Sequence, residues 1–298
     1  MFAYLGFKEF GEELEKELSN KKAITDRLFI SELSQTPLWA QVVWSKVEAV
    51  DITSIGDAIK ALKSRGKWWS LFPNEHHRRA KLIQAQLPRY KIPPLDFLGK
   101  IPDQEMGAWT MIDKNKILIG KVTSSPFPNG DIQFNEDKET PPSRAYLKLW
   151  EVFTVLKIKP DRGSRCLDLG SCPGGWTWVL QQVGAKVLSV DKAPLAPNIA
   201  KLPNIEYLKR DAFKLKPEDI GPVDWLFSDI ICYPADLLEL VNSWRASGMC
   251  KNFVCTIKFQ GKTDWETVAK FKNIPNSRIV HLVHNKHEVT WICLQQTT

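Results

Sequence analysis

An α/β fold in two parts is what this 298-residue sequence predicts: a mainly parallel sheet with helices on both faces, preceded by a smaller α+β region. Three observations predict it. Beyond residue 141, short β-branched apolar runs alternate with amphipathic ones, the pattern of strands buried on both faces and joined by helices. Just before that, Ser124 to Pro142 carries prolines, acids and amides with little periodicity, which reads as a loop or linker. A glycine-rich turn then follows the first strong strand of the second half, where open α/β sheets bind ligands. The expected boundaries are a first domain at 1–125, a linker at 126–140 and a second domain at 141–298.

In the first part, Phe2–Leu5 reads as a strand and Glu9–Leu18 as a charged helix with Phe10, Leu14 and Leu18 along one side. Leu28–Leu33 and Ala40–Val50 read as strands. Ser54 or Thr53 caps a helix over Ile55–Lys63, whose apolar face is Ile55, Ile59 and Leu62. His76–Gln86 reads as a helix ended by Pro88, and Ala108–Ile112 with Lys116–Val122 as a hairpin across Asp113, Lys114 and Asn115. In the second part, the apolar helix Ala145–Ile158 precedes strand Ser164–Leu169, helix Trp176–Val183 and strand Ala185–Val190. Ile205–Lys209, Trp225–Ser228, Phe253–Ile257 and Thr290–Leu294 read as further strands, with Leu237–Ala246 as a helix among them.

A net charge of +7 and a pI near 9.0 favour contact with polyanions. Trp68-Trp69 adjoins the basic run His76–Lys81, a combination suited to stacking bases and holding phosphates, although core packing is the commoner use of tryptophan. No apolar run approaches the ~20 residues of a membrane span, and the N-terminus lacks a signal-peptide pattern, so a soluble cytoplasmic protein is expected. All six cysteines lie in the second half without a C-x-x-C pair, so neither a zinc ribbon nor a disulfide framework is expected. His281, His284 and His287 resemble a ligand set, but alternation along a strand would separate His284 from the other two. No metal is expected.

Chemistry is concentrated where strands end. The turn Gly170–Gly175 matches neither the G-x-G-x-x-G dinucleotide pattern nor a Walker loop, which leaves another nucleoside-bearing cofactor; S-adenosylmethionine is the candidate. Asp168, Asp191, Asp211 and Asp229 follow or close four successive strands. Asp191 has the offset of a ribose-binding acid, and Asp211 suits an adenine amino group. Any one such aspartate is more often a cap or turn former; four in register are harder to assign to capping. Lys148 and Lys258 lie on apolar elements, where lysine usually snorkels to water. Convergence of both with Asp229 and Glu288 near a methyl donor would instead suit deprotonation of an alcohol.

The segments Ser143–Lys148, Asp168–Trp176, Ser228-Asp229, Ile257-Lys258 and Glu288-Val289 together resemble the FtsJ-type ribose 2′-O-methyltransferases, over about Pro141 to Leu294. That resemblance implies a Rossmann-like S-adenosylmethionine-dependent methyltransferase fold and no metal. It implies a catalytic tetrad of Lys148, Asp229, Lys258 and Glu288, with Lys258 accepting the proton. Cofactor contacts are implied at Cys172, Pro173, Gly174, Gly175, Trp176, Asp191, Asp211 and Asp229. The Cys-Pro-Gly-Gly turn favours a branch that methylates a cytidine of large-subunit (23S) ribosomal RNA, with RNA as the partner and no DNA or membrane. One departure is Ala145, where that branch has serine. The first part resembles a reduced or divergent THUMP-type RNA-binding module through Leu5–Leu14. Two other readings stay open: a ribosome-associated RNA-binding protein without turnover, and the same chemistry on transfer RNA or a messenger cap.

Overall fold

The computed structural model describes residues 1–295. The chain divides into two units, Met1–Phe134 and Asn135 onward, and each is built on a seven-stranded sheet. The stretch expected as a linker, 126–140, is split between them. Phe127, Ile132 and Phe134 are buried and Leu95 bridges Phe134, so the residues up to Phe134 belong to the first unit. Three apolar side chains spaced through a proline-bearing loop give it an inner face that periodicity does not register.

The first unit comprises β1 (Phe2–Gly6), α1 (Gly11–Glu17), β2 (Lys21–Ala23), β3 (Leu28–Ser31), β4 (Ala40–Asp51), α2 (Ile55–Lys63), β5 (Trp69–Leu71), α3 (His77–Ala85), β6 (Gly107–Asp113) and β7 (Lys116–Thr123). Its sheet runs β2-β3-β1-β4-β7-β6-β5, antiparallel at every pair except β5 with β6. Helix α2 starts where expected: Ser54 Oγ accepts from the Asp57 amide at 3.1 Å, and Asp57 accepts from the Thr53 amide at 2.9 Å. Ala58 and Leu62 of α2 and Ala80 and Ile83 of α3 bury against Trp109, Met111 and Ile119, while Leu5, Val42, Trp44 and Leu118 form a second cluster. Close packing leaves no room at Gly120, where a Cβ would stand 2.5 Å from the Trp44 Cβ.

The second unit comprises α4 (Tyr146–Thr154), β8 (Arg165–Leu169), α5 (Gly175–Gln182), β9 (Lys186–Asp191), α6 (Pro197–Ala200), β10 (Ile205–Lys209), α7 (Pro217–Ile220), β11 (Val223–Ser228), α8 (Pro234–Ala246), β12 (Cys250–Lys258), α9 (Trp265–Lys272), β13 (Ser277–Val280) and β14 (Glu288–Cys293). The sheet order is β10-β9-β8-β11-β12-β14-β13. The first five strands of that order pair in parallel, and β14 inserts antiparallel between β12 and β13. Chain order runs outward from β8 to β10, then returns to the other side of β8 for β11. Crossovers of one hand therefore put helices on both faces and open a crevice at the carboxyl ends of β8 and β11. Buried strand interiors supply the reason for the parallel sheet: β14 is buried at every position, and β8 at all but its first. Helix α4 stops at Thr154, short of the expected Ile158, and Lys157 then takes a left-handed φ of 56°.

Candidate active site

Strand register assembles the polar cluster. Asp229 follows the last residue of β11, whose neighbour is β12. Lys258 ends β12 and sits opposite Glu288, the first residue of β14. Lys148 comes from α4, every residue of which is buried. Its ammonium donates to both Asp229 carboxylate oxygens at 2.7 and 2.9 Å and to Glu288 Oε1 at 3.0 Å. Lys258 Nζ donates to the Asp229 backbone oxygen at 2.7 Å and lies 3.1 Å from its Oδ1. The cluster is two ammonium groups facing two carboxylates. A charge in such a place survives burial only by pairing, and Lys148, expected to snorkel by default, instead directs its ammonium inward to Asp229 and Glu288.

The two lysines differ in access. Lys148 has a side chain 8% exposed, against 18% for Lys258. Lys258 and Asp229 line a cavity of about 400 Å³, together with Gly170, Cys172, Pro173, Asp191 and Asp211. That volume lies within the usual range for small-ligand sites, roughly 300–1,000 Å³. Of the residues expected to contact a cofactor, Gly174, Gly175 and Trp176 are buried and are not among those lining the cavity. The Trp176 indole donates to the Ala145 backbone oxygen at 2.9 Å, and its ring lies 5.9 Å from the Lys148 ammonium. The contact at Ala145 is therefore to the backbone, and it needs no hydroxyl there.

Each acid at a strand end is held differently. Asp191 accepts from the Cys172 amide and from the Ala193 amide, both at 2.9 Å, which fixes its carboxylate at the cavity wall and pins the turn. Asp211 accepts from the Phe213 amide at 3.1 Å and pairs with Lys192 at 3.0 Å; the hydrogen bond from Lys192 foremost holds its carboxyl below the usual range. Asp168 is sealed away from the cavity, accepting from Thr177 Oγ1 at 2.7 Å, and burial pushes its carboxyl up to about 7. Gly170 takes a left-handed φ of 74°, and a Cβ there would lie 2.5 Å from Ile230 Cγ1, so the β8 and β11 loops meet only because this residue is glycine. Burial and the nearby Asp191 charge raise the Cys172 thiol, which suits a small turn residue rather than a nucleophile.

Some contributors are invisible to sequence reading. Glu151, one turn beyond Lys148, accepts from the Val283 amide at 2.9 Å, the His284 amide at 3.2 Å and His284 Nδ1 at 2.7 Å. It fastens the turn that leads into Glu288. The only sequence signal was an acid inside a strongly apolar helix. His281, His284 and His287 lie in that turn and not on a strand, which ends at Val280. Each meets a separate partner: the Lys286 backbone oxygen, Glu151 and Thr263 respectively. Among the described residues, no group of three His, Cys, Asp or Glu side chains is placed to hold a metal ion. No helix among them is long and apolar enough to cross a membrane.

Known proteins resemble parts of this chain. A curated relative from Azoarcus sp. (strain BH72), ribosomal RNA large subunit methyltransferase M, is 31% identical over 186 residues, covering 57% of this chain and 50% of its own. The protein of the same name from Thauera aminoaromatica is 33% identical over 165 residues, covering 50% of this chain and 45% of its own. The chain thus spans about half the length of the curated relatives it matches. A solved 1,6-didemethyltoxoflavin-N1-methyltransferase from Burkholderia thailandensis, with bound S-adenosylhomocysteine, is 14% identical, covers 52% of this chain and 78% of its own, and has a TM-score of 0.36, too distant a likeness to argue from. The model of the FtsJ-like methyltransferases matches residues 141–292, about half of the chain. With its sheet order, its glycine-rich turn and this match in accord, the chain belongs to the FtsJ-like methyltransferase family.

Proposed function

We propose that this chain methylates the ribose 2′-hydroxyl of RNA, using S-adenosylmethionine, and that its substrate is a cytidine of large-subunit ribosomal RNA. The observation that carries the reading is the cluster itself. Lys258 stands at the wall of a nucleoside-sized cavity, tied to Asp229, with Lys148 and Glu288 behind it. The donor set fits the cofactor. Asp191 and Asp211 line the cavity at the ends of β9 and β10, and both carboxylates keep lone pairs for ribose hydroxyls or an adenine amino group. Cys172 and Pro173 line it too, and Gly170 keeps the backbone free of a side chain there.

When bound, the cofactor supplies an electrophilic methyl group. The chain's own residues position and activate the acceptor. Lys258, in its free-amine form, takes the proton of the ribose hydroxyl on Nζ. Asp229 holds the Lys258 nitrogen in place, and Lys148, clamped by Asp229 and Glu288, fixes the carboxylate that does so. Orientation of this kind is worth about 7–11 kcal/mol in well-aligned systems, and general-base help about 10²–10⁴-fold. The THUMP-like reading of the first unit assigns it to RNA binding. The name of the curated relatives supports ribosomal RNA over transfer RNA or a messenger cap.

The test is methyl transfer from labelled S-adenosylmethionine to unmodified ribosomal RNA. Lys258→Ala should lose at least 100-fold in rate while binding the cofactor as before. A wild-type protein that binds the cofactor but labels no RNA would favour the non-catalytic RNA-binding alternative.

A further inference from the structure

The positive charge of this chain is not spread over it. Residues 60–91 carry nine Lys and Arg against one acid, Glu75, a net +8, whereas the whole chain is +7. The other residues together are therefore net −1. This segment spans the end of α2, β5, α3 and the loop that follows, all in the first unit. Among the described residues only Arg65 of the nine forms an ion pair, with Glu48 at 2.8 Å. Lys67, Arg78, Lys81, Arg89 and Lys91 are exposed. A merely solvated helix face would carry both signs; here acids are almost wholly excluded.

Two aromatic rings stand inside this basic region. Trp68 and Tyr90 are half-buried, with centroids 5.0 Å apart at 58°, and the Lys67 ammonium lies 4.6 Å over the Trp68 ring. Tyr90 and Lys91 continue into a cavity of about 510 Å³ whose other walls include Phe127 and Gln133. The neighbouring Trp69 has a different role: it is buried, with its indole bonded to the Gly66 oxygen. The adjacent tryptophans are thus divided between core and surface.

We propose that residues 60–91 form a binding surface for single-stranded RNA, in which Trp68 and Tyr90 stack on unpaired bases and the surrounding lysines and arginines hold phosphates. Charge complementarity selects a polyanion. The accessible rings select one whose bases are free, because duplex bases are already stacked on each other. The proposal rests on RNA being the substrate, and it names where on the first unit that RNA is gripped.

Fluorescence anisotropy of the full chain with a labelled single-stranded RNA, titrated at several salt concentrations, tests it. Reversing three exposed charges together, Arg78→Glu, Lys81→Glu and Arg89→Glu, should weaken binding at least tenfold and lower the log–log salt slope by about 2, at ~0.7 per phosphate lost. Trp68→Ala should weaken binding about tenfold with the slope unchanged, since a ring releases no counterions; Trp68→Phe should restore most of it. S-adenosylmethionine binding by calorimetry should match wild type in every variant. If wild type binds RNA and the charge-reversed variant binds it equally well, this surface is wrong while the methyltransferase reading stands. Equal binding of duplex and single-stranded RNA, or the same variant-sensitive binding to anionic phospholipid vesicles, would also overturn it. A wild type that binds no RNA at all overturns the reading beneath it.

Discussion

Two seven-stranded sheets in one chain follow opposite rules, and chemistry follows the difference. The first is nearly all antiparallel; β4 buries only Val42, Trp44 and Val47 of its twelve residues, and two clusters of apolar side chains pack on the sheet. The second pairs its central strands in parallel and buries them on both faces, leaving only their ends to carry polar work. Asp191, Asp229 and Lys258 accordingly all stand at strand ends, while the first unit gathers its charge along helices and loops. An antiparallel sheet offers a surface, and a doubly covered parallel sheet offers a rim.

If the rim does the cofactor chemistry, damage to it should separate cleanly from damage elsewhere. The largest effect is expected for Asp191→Ala: loss of two charge-assisted hydrogen bonds, each about 1.5–3 kcal/mol, should weaken S-adenosylmethionine binding by more than about 100-fold by calorimetry while RNA binding is retained. Equal loss of both would erase the division of labour between the units. Next come two glycines. Gly170→Ala combines left-handed strain with a 2.5 Å contact to Ile230 and should cost about 2–4 kcal/mol in urea unfolding, with weakened cofactor binding. Gly120→Ala, crowding Trp44 in the first sheet, should cost about 1–3 kcal/mol with cofactor affinity intact. A cofactor defect in Gly120→Ala would break the contrast.

The least visible effect at any single pH is a slope. Burial lifts Asp168 from 3.8 to about 7, so the folded protein binds that proton more tightly than the unfolded chain does. Its contribution is full below about pH 4 and is lost as pH rises through about 7. Asp168→Asn should flatten the fall in stability across that window in denaturant titrations. An unchanged slope would place the pH dependence elsewhere.

Much of the second unit is legible in the sequence, because long buried strands and a glycine-rich turn are strong signals. Helix α2 is read to the residue, since Ser54 caps it and its apolar face is regular. Helix α9 and strand β13 are not read. Trp265–Lys272 carries three charges between its apolar positions, and Ser277–Val280 is too short to show a period. Strands β2 and β5, three residues each, fail for the same reason. At the site, the lysine and carboxylate positions are legible as charges on apolar elements. Glu151 is not, because its partners lie 132 and 133 residues away and only the folded turn supplies them. Trp176 belongs to the legible motif, yet its place beneath Lys148 and away from the cavity wall follows from three-dimensional packing alone.

The insertion of β14 between β12 and β13 has a consequence for the order in which the protein is made. Every residue lining the candidate cofactor cavity lies between Ser143 and Lys258, but Glu288, which clamps Lys148, arrives thirty residues after Lys258. During synthesis every residue of the candidate cavity is therefore in place before the lysine cluster is. A message cut short between those two points would yield a chain that has all the cavity's residues and lacks the strand that finishes the polar cluster. Under the proposed function, the ability to hold the methyl donor would be encoded ahead of the ability to use it.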